Sequence, residues 1–188
     1  MPVSLSHTSK AAEHFASELR DHEKANEGKV FGPEWERSRW YASAAILLSF
    51  SAMEAALDET EDDLSIPDAL LRPLQRSPFW DRVGAVLAHI GAEQMDKGCE
   101  PSQSADLLRL LRNGLAHPKA EWFDERTTHK TLTDRVNGAH LPLSPFIPDP
   151  EKAFPMGCMS AGVAAWAADT ARRFIRDFRE RCGLKSAV

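Results

Sequence analysis

Residues 107–118 read LLRLLRNGLAHP. At about 100° per residue, the five leucines of this stretch occupy one side of a helix, and its polar residues share the opposite sector. Pro118 lacks a backbone N–H and disfavours helical geometry in the residue before it, so the helix should end near His117. The pattern predicts an amphipathic helix that begins at Pro101 or Ser102 and turns its polar face away from the core.

Helical signals on both sides of this stretch predict further helices. Their expected spans are residues 7–26, 33–63, 77 or 78 to about 95, and 160–182. Gly28 and Gly32 should stop the first helix, Pro33 suits the first turn of the second, and Gly183 should end the last. The sequence shows neither an internal repeat nor a convincing strand pair. It therefore predicts an all-α fold in which residues 1–188 form one domain, an up-and-down bundle of four or five helices.

Residues 121–155 lack helical periodicity in this interpretation. They contain five prolines, namely Pro142, Pro145, Pro148, Pro150 and Pro155. A structureless stretch of this length is unusual inside a compact domain and is typical of a functional loop or a partner contact. The sequence therefore predicts a long, proline-rich irregular excursion before the last helix.

The composition excludes several classes of protein. Hydrophobic residues make up 43% of the 188 residues and charged residues 27%, which is typical of a chain that buries a core without disulfides or a structural metal. The net charge of −5 argues against a polybasic, non-specific nucleic-acid binder, although it allows an enzyme that contacts a few phosphates. His14, Glu18 and His22 recur at helical spacing, but two or three ligands on one exposed helix make a poor metal site, so no metal is expected. The sequence has no Walker loop and no dinucleotide-binding glycine pattern, and no cofactor is expected.

Cysteine usage and hydropathy bear on the compartment. The three cysteines form no CxxC pair, which favours a reducing environment. The longest apolar stretch, residues 42–50, is far shorter than the ~20 residues of a membrane span. The expected location is the cytoplasm, without a membrane partner.

Three residues on the polar face of the 107–118 helix could carry chemistry. The guanidinium of Arg112 offers fixed donors to a phosphate, and the imidazole of His117 can move protons near neutral pH. Asn113 lies one turn before His117 and could orient the ring or a bound phosphate. Together they suffice for metal-independent cleavage of an RNA phosphodiester by its own 2′-hydroxyl group. The alternative for the same residues is a solvated helix face whose histidine bonds the last carbonyls.

Residues 112–117, RNGLAH, resemble the R-x4-H signature of the HEPN superfamily, and residues 49–58, SFSAMEAALD, are similar to the second-helix pattern of many of its members. The resemblance implies a helical bundle that commonly dimerises and so brings two motifs into one cleft. Many HEPN proteins are metal-independent RNA endonucleases of defence, toxin–antitoxin or abortive-infection systems. Carried over, Arg112 would stabilise the phosphate, His117 would transfer the proton or hold the scissile ribose, and Asn113 would support both. Lys119 stands where toxins modified by a nucleotidyltransferase carry tyrosine, which argues against that type of antitoxin.

Glu54 falls within the apolar stripe of the second helix, beside Leu47 and Phe50. A buried carboxylate is costly unless it is paired. One hypothesis is that Glu54 meets Arg112, or else Arg109, and supports the site. The alternative is that Glu54 reaches solvent at the edge of the stripe.

The last helix carries a stripe of arginines away from its apolar face: Arg172, Arg173, Arg176 and Arg179. Such a stripe could guide an RNA backbone towards the site. The alternative is a solvated face that balances acidic neighbours such as residues 58–63. The five tryptophans are expected to fill core or interface positions.

The sequence as a whole predicts a homodimeric, metal-independent RNA endonuclease, with RNA as substrate and an antitoxin or regulatory protein as a further partner. The alternative from a different class is a non-catalytic HEPN-like interaction or nucleotide-binding module, because fold resemblance alone does not establish activity.

Overall fold

The computed structural model describes residues 5–74, 76–117, 128–148 and 153–185. These ranges contain seven α-helices, one short 3-10 helix and no strand, so the predicted all-α class is confirmed for them. The helices are α1 (Leu5–Ala25), α2 (Pro33–Asp63), α3 (Asp68–Leu74), α4 (Phe79–His89), α5 (Ser102–Ala116), α6 (Thr128–Gly138) and α7 (Ala161–Arg181), and the 3-10 helix is Met156–Cys158.

The longer helices α1, α2, α5 and α7 form the body of the molecule. A short connection joins α1 to α2, where His22 Nε2 lies 2.8 Å from the carbonyl oxygen of Glu34. The carboxylate of Glu23, near the end of α1, accepts a bond from the first N–H of α7 at 2.8 Å. Both α2 and α7 therefore run antiparallel to α1.

The other end of α2 lies against the end of α7. Arg179 Nη2 is 2.8 Å from Asp63 Oδ2, whereas Ser43, early in α2, contacts Met159 just before α7. These contacts make α2 and α7 parallel, with α5 packed against both.

Aromatic rings fill the centre of the core. Phe79 lies 5.2 Å from Phe50 and 5.4 Å from Phe174, ring centre to ring centre. On α5, Leu108 and Leu111 are fully buried. The leucine side of α5 therefore faces the core as predicted, and its polar residues lie towards the outside.

Two expectations about the elements are wrong. The helix predicted to reach about residue 95 ends at His89, and Gly91 follows with a φ of +69° that suits glycine. Residues 121–155 are not irregular throughout, because α6 occupies residues 128–138 and buries Leu132 and Val136, one turn apart. The five prolines of residues 121–155 all follow α6 in the chain. The described residues from 139 to 148 and 153 to 155 contain no helix or strand.

The predicted count of four or five helices is too low for the described residues. The connection between α2 and α4 contains α3, which spans only seven residues and was not predicted. With α6, it brings the total to seven helices. Residues 121–127 and 149–152 of the predicted excursion, including Pro150, lie outside the described residues.

In length and composition, α2 is the one helix in the described part of the chain that could cross a membrane. Half of the most apolar 18-residue stretch of α2 is buried inside the protein. Buried core helices share this property, so the helix is weak evidence for a span.

Candidate active site

The site lies at the end of α5. This helix ends at Ala116, and the N–H of His117 still donates to the carbonyl oxygen of Asn113 at 3.0 Å. With φ −128° and ψ 66°, His117 leaves the helical conformation. Its side chain is exposed, so the imidazole is accessible to a ligand.

Neighbouring side chains hold Arg112 in place. Its Nη2 lies 3.8 Å from Oε2 of Glu54, its Nη1 donates to Oδ1 of Asn113 at 3.0 Å, and its guanidinium carbon lies 5.3 Å from the ring centre of Phe50. The predicted contact between Glu54 and Arg112 is therefore present. A guanidinium has five N–H donors, so these contacts leave donors for an anion.

Glu54 is half-buried, with 40% of its side chain exposed. Burial raises the pKa of this carboxyl above its ordinary value, and the nearby Arg112 offsets the rise only in part. Asp58 adds to the rise and Arg82 opposes it. The Glu54 carboxylate thus faces Arg112 from a partly desolvated position at the edge of α2.

Arg109 belongs to a different cluster. Its Nε and Nη2 donate to Oδ1 of Asp106 at 3.0 and 2.8 Å, so it pairs with Asp106 instead of Glu54. Asp106 also accepts from Trp80 Nε1 at 3.0 Å and from Arg135 Nη1 at 3.2 Å. Burial alone would raise the pKa of Asp106, but these donors outweigh it and hold the pKa below its ordinary value. Asp106 therefore joins α5 to α4 and α6, and Arg109, its partner on α5, does not support Arg112 directly.

Gly114 stands in the middle of the motif for a packing reason. A Cβ atom there would lie 2.7 Å from Phe154 Cζ and 3.0 Å from Leu132 Cδ1. Both of these side chains are buried and have little room to move. The glycine therefore lets α6 and the segment around Phe154 approach the last turn of α5. Sequence reasoning missed this role, and also that of Phe50 beneath Arg112, although Phe50 lies one helical turn before Glu54.

The arginines of α7 are mostly engaged within the protomer. Arg172 and Arg173 pair with Asp169 at 2.8 and 2.9 Å. Arg179 is only 7% exposed and bonds to the end of α2, so it cannot line an outer surface. Arg176 is exposed. These contacts favour the interpretation in which most of the stripe balances acidic neighbours.

The described residues also bear on metal binding and on two of the three cysteines. They contain no cluster of three or more His, Cys, Asp or Glu side chains that could hold a metal ion. Burial raises the pKa of Cys158 to about 12 and that of Cys182 to about 11, which keeps both thiols protonated and unreactive near neutral pH.

Comparison of the chain with models of protein families, with curated proteins and with solved structures finds no match. The residues of the chain itself and their geometry are therefore what supports a function.

Proposed function

We propose that this protein is a homodimeric, metal-independent RNA endonuclease of the HEPN type, with Arg112 and His117 as its catalytic residues. One observation carries the proposal. A guanidinium held outside the core by Glu54, Asn113 and Phe50 lies less than two helical turns from an exposed imidazole at the end of the same helix.

The chemistry assigns a role to each group. Arg112 donates to the non-bridging oxygens of the scissile phosphate and stabilises the charge that develops on them. A neutral His117 takes the proton of the ribose 2′-hydroxyl while its oxygen bonds to phosphorus and the bond from phosphorus to the 5′-oxygen breaks. The leaving oxygen takes a proton from the imidazolium of His117 in the second copy. The products are a 2′,3′-cyclic phosphate and a 5′-hydroxyl end.

Two copies are proposed because α2 has an apolar face that the protomer does not cover. Trp40 is 64% exposed, and the half-buried Leu47 and Leu48 do not pack against the main core. At about 100° per residue, Trp40 and Leu47 share a sector of α2 with Glu54, and Leu48 lies about 120° away from Glu54. A second copy packed on this face by two-fold symmetry would place two Arg112 side chains along one seam.

The test is RNA cleavage in the presence of EDTA. The wild type is expected to cleave total RNA and to leave 2′,3′-cyclic phosphate ends. His117→Ala and Arg112→Ala should each lose activity by about 100-fold or more. His89→Ala, which removes an exposed histidine from the last turn of another helix, is the matched control and should cleave like the wild type.

Two results would overturn the proposal. One is equal cleavage by wild type and His117→Ala, which would indicate a contaminating nuclease. The other is the absence of cleavage by the wild type across varied RNAs. That second result would favour the non-catalytic interaction or nucleotide-binding module. A role in defence or with an antitoxin, and a cytoplasmic location, remain predictions from the sequence.

A further inference from the structure

A cavity of about 310 Å³ lies beside the candidate active site. It is enclosed by the first half of α2, the last turn of α5, the start of α6 and the 3-10 helix. Gly114 and Leu115, which line it, stand between Arg112 and His117 in the chain. At a rise of about 1.5 Å per residue, the cavity and the candidate active site are a few ångströms apart along α5.

The walls of this cavity suit a flat ring. Trp35, Phe154 and Met159 are buried side chains that line it. The Trp35 indole has Phe31 at 4.8 Å between ring centres and the guanidinium carbon of Arg39 at 5.5 Å from its ring centre. Aromatic and thioether groups are favourable surfaces for an unstacked base.

The cavity also carries polar groups that could read the edge of a base. Trp35 is 6% exposed, and its indole N–H is itself buried and has no acceptor among the described residues, so a base reaches it only when the surrounding side chains shift. An unpaired buried donor is costly, and a ligand acceptor would satisfy it. Among the described residues, the hydroxyl of Ser43 donates to the sulfur of Met159 at 3.6 Å, and it could exchange that weak contact for a better one. His129 lines the same cavity.

A cationic side chain completes the cavity. Arg39 lines it and is half-exposed, with Glu36 at 2.8 Å as its partner. A guanidinium at this position can bind a phosphate of the strand whose base enters the cavity. An aromatic pocket, an unpaired N–H donor and a cation together match a nucleotide, which presents a ring, acceptor atoms and an anion.

We propose that this cavity binds one unstacked base of the RNA substrate, from a nucleotide next to the scissile phosphate. The inference rests on the proposed function, because it places the base of a strand whose phosphate is bound by Arg112. It makes Trp35 and His129 residues that determine which base is preferred near the cut, and it makes Arg39 the residue that binds the phosphate of that nucleotide. A free nucleotide offers the same chemistry, so the experiment must separate the two sources.

The experiment measures binding separately from cleavage. The full chain carrying His117→Ala is titrated with the four homopolymeric tetraribonucleotides and with the four nucleoside monophosphates, and binding is followed by calorimetry. One tetranucleotide should bind more tightly than the others, and each monophosphate more weakly than its tetranucleotide. Trp35→Phe, which keeps the ring and removes the N–H, should weaken the preferred tetranucleotide about fivefold to tenfold and reduce the preference.

Other variants keep the test decisive. Arg39→Ala and His129→Ala should each weaken binding, whereas Arg37→Ala, which removes an exposed arginine of α2 that does not line the cavity, should not. If Trp35→Phe fails to fold, as judged by thermal unfolding, these two variants carry the test. Equal binding of all four tetranucleotides, or variants that bind like the control, would overturn the inference. Monophosphates that bind as tightly as tetranucleotides would assign the cavity to a free nucleotide instead.

The two proposals can fail separately. Base-selective binding that depends on Trp35, in a wild-type protein that cleaves no RNA, would retain the pocket and remove the nuclease. Cleavage that needs His117 but is indifferent to Trp35, Arg39 and His129 would retain the nuclease and remove the pocket.

Discussion

Glu54 holds Arg112 in position, and the partial burial of its charge lowers the stability of the fold near neutral pH. Its carboxyl is half-buried, and burial raises its pKa although Arg112 lowers it in part. A raised pKa means that the folded protein favours the protonated form of Glu54 more than the unfolded chain does. The contribution of Glu54 to stability is therefore fully present below its ordinary pKa and is lost as the pH rises through the folded-state value. Near neutral pH its charge positions a guanidinium without adding net stability.

Glu54→Gln should therefore change the pH dependence of stability and leave the fold intact. Near neutral pH its melting temperature should equal or exceed that of the wild type, because a partly desolvated charge is removed. Between about pH 4 and 7 its stability should increase relative to that of the wild type as the pH rises. Thermal unfolding across this range measures both effects, and Glu18→Gln, at an exposed position on α1, should behave like the wild type. A much lower melting temperature near neutral pH would show that Glu54 stabilises the fold through its charge.

At the scale of the elements, one carboxylate joins three helices. Asp106 on α5 accepts from Trp80 on α4 and from Arg135 on α6, in addition to Arg109 on its own helix. These donors hold the pKa of Asp106 below its ordinary value despite burial. The stability that it provides is therefore present above its ordinary pKa and is lost as the pH falls through the lowered folded-state value.

Asp106→Asn tests this junction. The amide oxygen can still accept from Trp80, but the negative charge between two arginines is lost. Near neutral pH the free energy of unfolding should fall by about 1–3 kcal/mol, and the difference from the wild type should shrink below about pH 4. Chemical denaturation at the two pH values measures this. The matched substitution Asp169→Asn, at a half-exposed ion pair on α7, should cost less than about 1 kcal/mol. Equal losses for the two variants would contradict the assigned role.

At the scale of the whole molecule, α2 is both the central helix and an exposed one. Its buried side packs against α1, α5 and α7, while Trp40, Leu47 and Leu48 lie on the other side without a core partner. The Arg112–Glu54 pair lies at the border between these two sides. Covering the apolar face with a second copy would remove its surface from water and bring the two candidate sites together.

Leu47→Glu should separate the proposed dimer. A carboxylate in the middle of the apolar face would be desolvated on association, so sedimentation at micromolar concentration should show a dimer for the wild type and a monomer for the variant. Leu70→Glu, the same substitution at an exposed position on α3, should leave the mass unchanged. Circular dichroism should show equal helicity in all three proteins. A wild type that stays monomeric up to tens of micromolar would contradict the shared-seam arrangement.

Local signals were enough to place the long helices. The second helix begins at Pro33 and ends at Asp63 as predicted, and α7 begins after Ser160, whose hydroxyl accepts from the N–H of Val163 at 3.1 Å. Gly183, with a φ of +71°, follows the end of α7. Prolines, caps and glycines act over a few residues, so the sequence displays them directly.

Local sequence signals did not predict α6, because this helix is stabilised by packing against residues that are distant in the chain. It has eleven residues, and Leu132 and Val136 are its buried apolar side chains. Leu132 packs beside Phe154 against the surface left open by Gly114. A helix that depends on such distant contacts has a weak periodic signal of its own.

The amino-acid sequence by itself determined the all-α class, the long helices and the side of α5 on which Arg112, Asn113 and His117 lie. Helical periodicity sets the direction of each side chain around its own axis, and hydrophobic burial then selects the side that turns inward. Only the tertiary structure decided that Glu54 pairs with Arg112, that Asp106 takes Arg109, and that a cavity opens beside the motif. The physical reason is that such pairings depend on the distance and rotation between helices, which depend on how all the buried side chains pack together.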